Sequence, residues 1–146
     1  MLTRDYDGCT NLLVATDLWQ GRLATAAVCC VFDGVSGEWH ALVDTAACWS
    51  IMPGDLARQL SIDIAGRCDT PLETRFGRLD GSLVRHPVHL RAREGEPLSL
   101  EPTWWVSDEW PCGPVIGWYG FLESIRFGFD PGTQASDEPE FLYTSP

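Results

Sequence analysis

Apolar residues fall in short runs divided by Gly, Pro and Asp, the spacing of strands joined by turns. From Leu23 to Phe32 the chain is almost wholly apolar or small, Asp33-Gly34-Val35-Ser36-Gly37 supplies a turn, and Glu38-Trp39-His40-Ala41-Leu42-Val43 resumes an extended pattern. A β-hairpin is predicted there. Its second strand delivers Asp44 to a point where small residues let the chain turn tightly. In Pro53 to Leu60, Pro and Asp55 come early, Leu56 and Leu60 stand four apart, and Arg58 comes late, which predicts a short helix.

Further on, Leu72 to Gly77 and Leu83 to Leu90 flank Arg78-Leu79-Asp80-Gly81-Ser82, where Asp-Gly favours a hairpin turn. Pro87 confines the return strand to an edge or bulge. Leu98 to Val106 reads as a strand, and Pro111-Cys112-Gly113-Pro114 turns the chain into Val115-Ile116-Gly117. Tyr119 to Ser124 fits about one helical turn. The alternation of Ile125, Phe127 and Phe129 and the run Glu140 to Thr144 give two more strands, separated by a polar, acidic loop from Pro131 to Pro139. The expectation is an all-β, closed barrel-like domain with one or two short helices. No repeat, low-complexity tract or long linker divides residues 1–146, so one domain is expected.

A chain of 146 residues buries enough surface to fold without disulfides or metal. A formal charge of −11 and a pI near 4.4 repel phosphate backbones and anionic membranes, so neither nucleic acid nor a membrane is an expected partner. No apolar stretch approaches the length of a membrane span. The six cysteines show no Cys-x-x-Cys spacing, and the first residues lack a basic segment followed by an apolar signal core. A reducing cytosol with free thiols is the simplest reading, with Cys29 and Cys30 on opposite faces of one strand. Most of the seven Trp are expected to fill the core, although Trp104, Trp105 and Trp110 also suit a dimer contact.

Candidate chemistry narrows quickly. His86 and His89, three apart in a strand, face opposite ways and do not suit a shared metal. His40 shares a strand face with Asp44 but has no clear hydroxyl or thiol nucleophile beside it. Cys48 with a distant His would make a thiol hydrolase conceivable, yet no neighbouring residue in the sequence marks it as an activated thiol. Leu42-Val43-Asp44-Thr45-Ala46-Ala47 remains, setting a carboxylate at the end of an apolar run. An isolated Asp-Thr most often serves as a turn or cap; the second apolar step at Val115-Ile116-Gly117 changes its meaning.

Together these two segments resemble the retropepsin-like aspartic peptidases, whose active-site loop reads apolar-apolar-Asp-Thr-Gly-Ala and whose later apolar-apolar-Gly turn packs beneath it. The similarity spans roughly residues 23 to 130, with firm matching in the two motifs. It implies that Asp44 is the catalytic acid and base, that Thr45 links two loops across a dimer axis, and that Ala46 lies beneath the substrate main chain, followed by Ala47. Val115, Ile116 and Gly117 would support the loop, and the hairpin Gly77, Arg78, Leu79, Asp80, Gly81 and Ser82 would be a flap over the peptide. No cofactor or metal is implied.

Such chemistry takes two carboxylates sharing a proton, one accepting from water while the other donates to the carbonyl oxygen. Asp69-Thr70, between Cys68 and Pro71, lacks the apolar strand and small residues and reads as a turn. The second carboxylate therefore has to come from another copy in a homodimer acting on peptide or protein substrates. Three features depart from the family. Ala46 replaces its Gly, Cys48 and Trp118 replace an Asp and an Arg that form an ion pair, and Arg78-Leu79-Asp80-Gly81 replaces a Gly-rich flap tip. The alternatives are a catalytically inactive dimer that binds extended peptides by strand addition, or a dimerisation module.

Overall fold

A computed structural model describes residues 5–16, 24–64, 68–132 and 138–146. Its strands are β1 (Gly8–Asn11), β2 (Leu13–Thr16), β3 (Ala24–Val31), β4 (Trp39–Val43) and β5 (Ser50–Pro53), then helix α1 (Gly54–Gln59). They continue as β6 (Leu72–Thr74), β7 (Gly77–Leu79), β8 (Ser82–Arg85), β9 (Val88–Leu90), β10 (Glu94–Gly95), β11 (Leu98–Leu100), β12 (Thr103–Ser107) and β13 (Val115–Ile116). A 3-10 turn (Leu122–Ser124) precedes β14 (Phe127–Asp130) and β15 (Glu140–Tyr143). The chain is mainly β with short helices, as expected.

The first hairpin forms where the pattern placed it. β3 and β4 pair antiparallel from Ala27 opposite Leu42 to Cys30 opposite Trp39; Leu23, its expected first residue, lies outside the described residues. Alternation buries Cys30 and leaves Cys29 partly exposed, and all six cysteines are free. Burial raises the Cys30 thiol's pKa well above its ordinary value. Helix α1 starts after an extended Pro53, buries Leu56 and Ala57, and carries Asp55 and Arg58 at the ends its dipole favours.

One large sheet runs β11-β9-β3-β4-β13-β5-β12-β8, with β2 on the other part of β3, and curls into a half-barrel. The main core includes Val28, Phe32, Met52, Trp104, Ile116, Phe121 and Phe141. A smaller cluster of Ile51, Trp105 and Val115 packs with Leu42, Trp49, Leu72 and Trp110 on the side where Asp44 emerges. The Trp residues therefore divide. Trp104 and Trp105 are fully buried, whereas Trp118 remains 42% exposed.

Three local expectations differ from the structure. The second hairpin turns at Arg75-Phe76, between β6 and β7, rather than at Asp80-Gly81. Thr74 Oγ1 closes this turn by donating to Gly77 O at 2.8 Å and accepting from Phe76 N at 3.0 Å, and Gly77 takes φ 93°. The run Leu98 to Val106 breaks at Glu101-Pro102 into β11 and β12. His86-Pro87 likewise separates β8, which pairs with β12, from β9, which pairs with β3 and β11. The expected loop from Pro131 to Pro139 lies partly outside the described residues. No helix among the described residues is long and apolar enough to cross a membrane.

Candidate active site

Asp44 owes its position to an inserted strand. β13 lies between β4 and β5, parallel to the first (Val115 opposite Leu42, Ile116 opposite Val43) and antiparallel to the second (Val115 opposite Ile51). Leu42 N donates to Pro114 O at 3.0 Å and Asp44 N to Ile116 O at 2.9 Å, so pairing with the later segment continues to the acid itself. Ala47 N then donates to Asp44 O at 3.2 Å, closing a tight turn. Inside it, Ala46 N donates to Asp44 Oδ1 at 2.9 Å and fixes the carboxylate's orientation.

Beneath this turn Val115, Ile116 and Gly117 are buried. Gly117 has no room for a side chain: a Cβ there would lie 2.3 Å from Trp49 O and 2.5 Å from Trp49 C. Its N–H donates to the buried Ser50 Oγ at 3.0 Å. Beyond it Trp118 N donates to Ala47 O and Tyr119 N to Cys48 O, both at 2.8 Å. At Cys48 and Trp118, where the resembling family forms an ion pair, main-chain hydrogen bonds join the loops instead.

The loop's outer surface is open. Asp44 is half-buried; Thr45 and Ala46 are exposed, and the Thr45 hydroxyl makes no hydrogen bond among the described residues. Ser61 is the sole non-glycine with positive φ among the described residues, so Ala46 holds ordinary backbone geometry and its methyl group brings no strain. Tyr119, 48% exposed, packs its ring 5.4 Å from that of Trp49, while Phe129, 47% exposed, lies on the Thr45 side.

Two hollows flank Asp44. The first, about 280 Å³, is mainly apolar, with Ile51, Leu72, Trp49, Trp110 and Val115 in its wall. The second, about 350 Å³, runs from Asp44 past Thr45 to Thr25, Ala26 and Phe129. Arg75, at the tip of the β6–β7 hairpin, borders both. The tip rests on the loop before β13: Phe76 meets Trp110 edge-on at 5.5 Å, and Arg75 Nη2 donates to Cys112 Sγ at 3.5 Å.

The residues expected in the flap thus separate. Gly77, Arg78 and Leu79 form β7, the returning arm of the hairpin, and Arg78 faces Glu73 across it at 3.9 Å. Asp80, Gly81 and Ser82 form its clasped base. Ser107 Oγ donates to Asp80 O at 2.5 Å, Thr70 N to Gly81 O at 2.9 Å, and a Cβ on Gly81 would lie 2.5 Å from the Trp105 ring. Sequence reasoning missed Arg75 and Phe76 as the tip; the signal was Thr74 followed three residues later by Gly77.

The histidines stand apart from this site. His86 Nδ1 meets Pro87 O at 2.9 Å, His89 lies between Ser99 and Asp33, and His40 is exposed on β4. No cluster of three potential metal ligands occurs among the described residues.

No protein-family model matches the chain, and no curated protein matches it in sequence. In three dimensions it is similar to the crystal structure of a retropepsin-like aspartic protease from Rickettsia conorii, with a TM-score of 0.56 and 14% identity over 90% of this chain and 97% of that one. The likeness is one of architecture: this chain has the acid-protease fold of the retropepsin type.

Proposed function

We propose that the protein is a homodimeric aspartic endopeptidase in which Asp44 of two copies forms the catalytic pair. The carrying observation is the seating of Asp44: its main chain is tied to Ile116, its carboxylate is oriented by Ala46 N, and it opens between two hollows. One described copy supplies one such acid. A two-fold axis beside Thr45 supplies the other, and the exposed Thr45, Trp118, Tyr119 and Phe129 offer a largely apolar rim for the contact.

In this reading the two carboxyls hold one proton, because like charges at hydrogen-bonding distance do not both ionise cheaply. The ionised carboxyl takes a proton from a water held between them as that water attacks the peptide carbonyl carbon. The protonated carboxyl donates to the carbonyl oxygen, giving a tetrahedral diol. Transfer of a proton to the amide nitrogen then accompanies C–N cleavage and frees a carboxylic acid and an amine. The apolar first hollow receives a side chain next to the scissile bond, and the β6–β7 hairpin limits water access.

Ala46 favours a second reading. Its methyl group is exposed beside Asp44, where an extended peptide would run, so a dimer that binds peptides without cutting them fits the same groove. Incubation with a mixed peptide library between about pH 3 and 7, alongside Asp44→Asn, separates the two. Cleavage by the unaltered protein alone is expected; binding without cleavage by either favours the second reading, and equal cleavage by both contradicts the role of Asp44.

A further inference from the structure

We propose that Arg75 selects peptides carrying an acidic side chain on a residue flanking the bond over Asp44, an inference that rests on the peptide-groove reading above. The hairpin places this guanidinium at the junction of the two hollows, and it is the sole cation in the wall of either among the described residues. Its direction is set by neighbours that are not acids. Arg75 Cζ lies 4.9 Å from the centre of the Phe76 ring, Phe76 is braced on Trp110, and Nη2 reaches Cys112 Sγ.

Arg75 combines this position with the lack of a carboxylate partner. Arg58 pairs with Asp108, Arg78 with Glu73, Arg91 with Glu38 and Arg93 with Glu140, whereas Arg75 in the wall of the hollows, like Arg85 and Arg126 outside it, has no ion pair among the described residues. Acids are not scarce, since the chain has 21 Asp and Glu against 10 Lys and Arg. Even Glu73, two residues away and bordering the same hollow, is turned to Arg78. An arginine braced by aromatic packing and left without an anion presents a planar fork suited to a carboxylate.

Charge supplies the specificity. The other charged groups around the hollows, Asp44 and Glu73, repel an acidic side chain, so Arg75 decides whether one is admitted. An apolar side chain fills the first hollow, while a neighbouring Asp or Glu reaches the guanidinium at its mouth. Because Arg75 is exposed, the preference weakens as salt rises.

The test uses paired peptides with Glu or Gln at each of the two positions flanking the cleaved bond, measured on the full chain and on Arg75→Met and Arg75→Glu. At one of those positions kcat/KM is expected to favour Glu about tenfold, consistent with a charge-assisted hydrogen bond near the surface. That ratio should fall to about one in Arg75→Met and invert in Arg75→Glu, with thermal midpoints showing that both variants fold. Binding of the same peptides to Asp44→Asn, read by fluorescence anisotropy, separates this inference from peptidase activity. A Glu preference in binding that vanishes with Arg75→Met supports the inference even if nothing is cut. Equal handling of Glu and Gln peptides at both positions, a preference unchanged by Arg75→Met, or no binding of any peptide overturns it.

Discussion

In the sheet made from the chain ends, β1 has β10 on one side and β15 on the other, and β15 in turn has β14; around the Asp44 turn, Thr45, Trp118 and Tyr119 face outward. Apart from Phe129, whose exposed ring borders the second hollow, the terminal sheet turns its large side chains mostly inward. Phe141 and Tyr143 are fully buried, Phe127 stacks on Phe141 at 5.9 Å, and Tyr143 OH donates to Glu96 O at 2.7 Å. Burial raises the Tyr143 hydroxyl's pKa to about 12, so it stays a donor throughout the useful pH range. The Asp44 region instead satisfies its main chain and leaves its outer side chains for another molecule. Damage to the first region should therefore appear as lost stability, and damage to the second as lost association or activity.

Asp44→Asn is the sharpest probe of that contrast. Peptide cleavage should fall by roughly 10³-fold or more, while the thermal midpoint should stay within about 2 °C, the range expected of a partly exposed, near-isosteric change. A large fall in midpoint would make Asp44 structural. Next comes Gly117→Ala, which crosses the divide: the added methyl group meets Trp49 main chain, so a loss of about 1–3 kcal/mol is expected together with lost activity. Denaturant unfolding checks this. Gly34→Ala, at φ 81° with open space around it, should cost about 1 kcal/mol and leave cleavage intact.

Smaller effects sharpen the comparison from each side. If the proposed dimer covers Trp118, Trp118→Asp should raise its dissociation constant about tenfold, since an aromatic buried at an interface is commonly worth more than 1 kcal/mol. Sedimentation should show the shift with little change in monomer stability. Within the terminal sheet, the Cys9 thiol's hydrogen bond, aided by Arg93, holds Glu140 below the usual carboxylate range against the opposing cost of burial. Glu140 thus stabilises the fold above the ordinary carboxylate value of about 4.3, and that contribution disappears as pH falls through its lowered folded value. Glu140→Gln should cost about 1 kcal/mol near neutrality, with the difference from the unaltered chain closing in acid.

Features that depend on neighbouring residues were legible in the sequence. The β3–β4 hairpin, helix α1 and the steps at Asp44 and Val115-Ile116-Gly117 carry their own alternation, turn residues or spacing. Asp80-Gly81 misled because the pair has turn chemistry, whereas its glycine is needed to pass the Trp105 ring, a contact 24 residues away in sequence. The competing turn at Arg75-Phe76 rests on the Thr74 hydroxyl and on Gly77 at φ 93°. β1 was invisible for a related reason: Gly8-Cys9-Thr10-Asn11 has little apolar patterning and becomes a strand by pairing with Glu140–Tyr143. The proposed role of Arg75 required knowing that the β6–β7 tip borders the same hollows as Asp44, 31 residues earlier in the chain.

The central claim is that two copies place their Asp44 carboxylates together. A crystal structure of the protein with a bound non-cleavable peptide measures this directly. The account expects a two-fold dimer with the two carboxylates roughly 3 Å apart beneath the peptide. Asp44 carboxylates separated and facing solvent in every assembly of the crystal would contradict it.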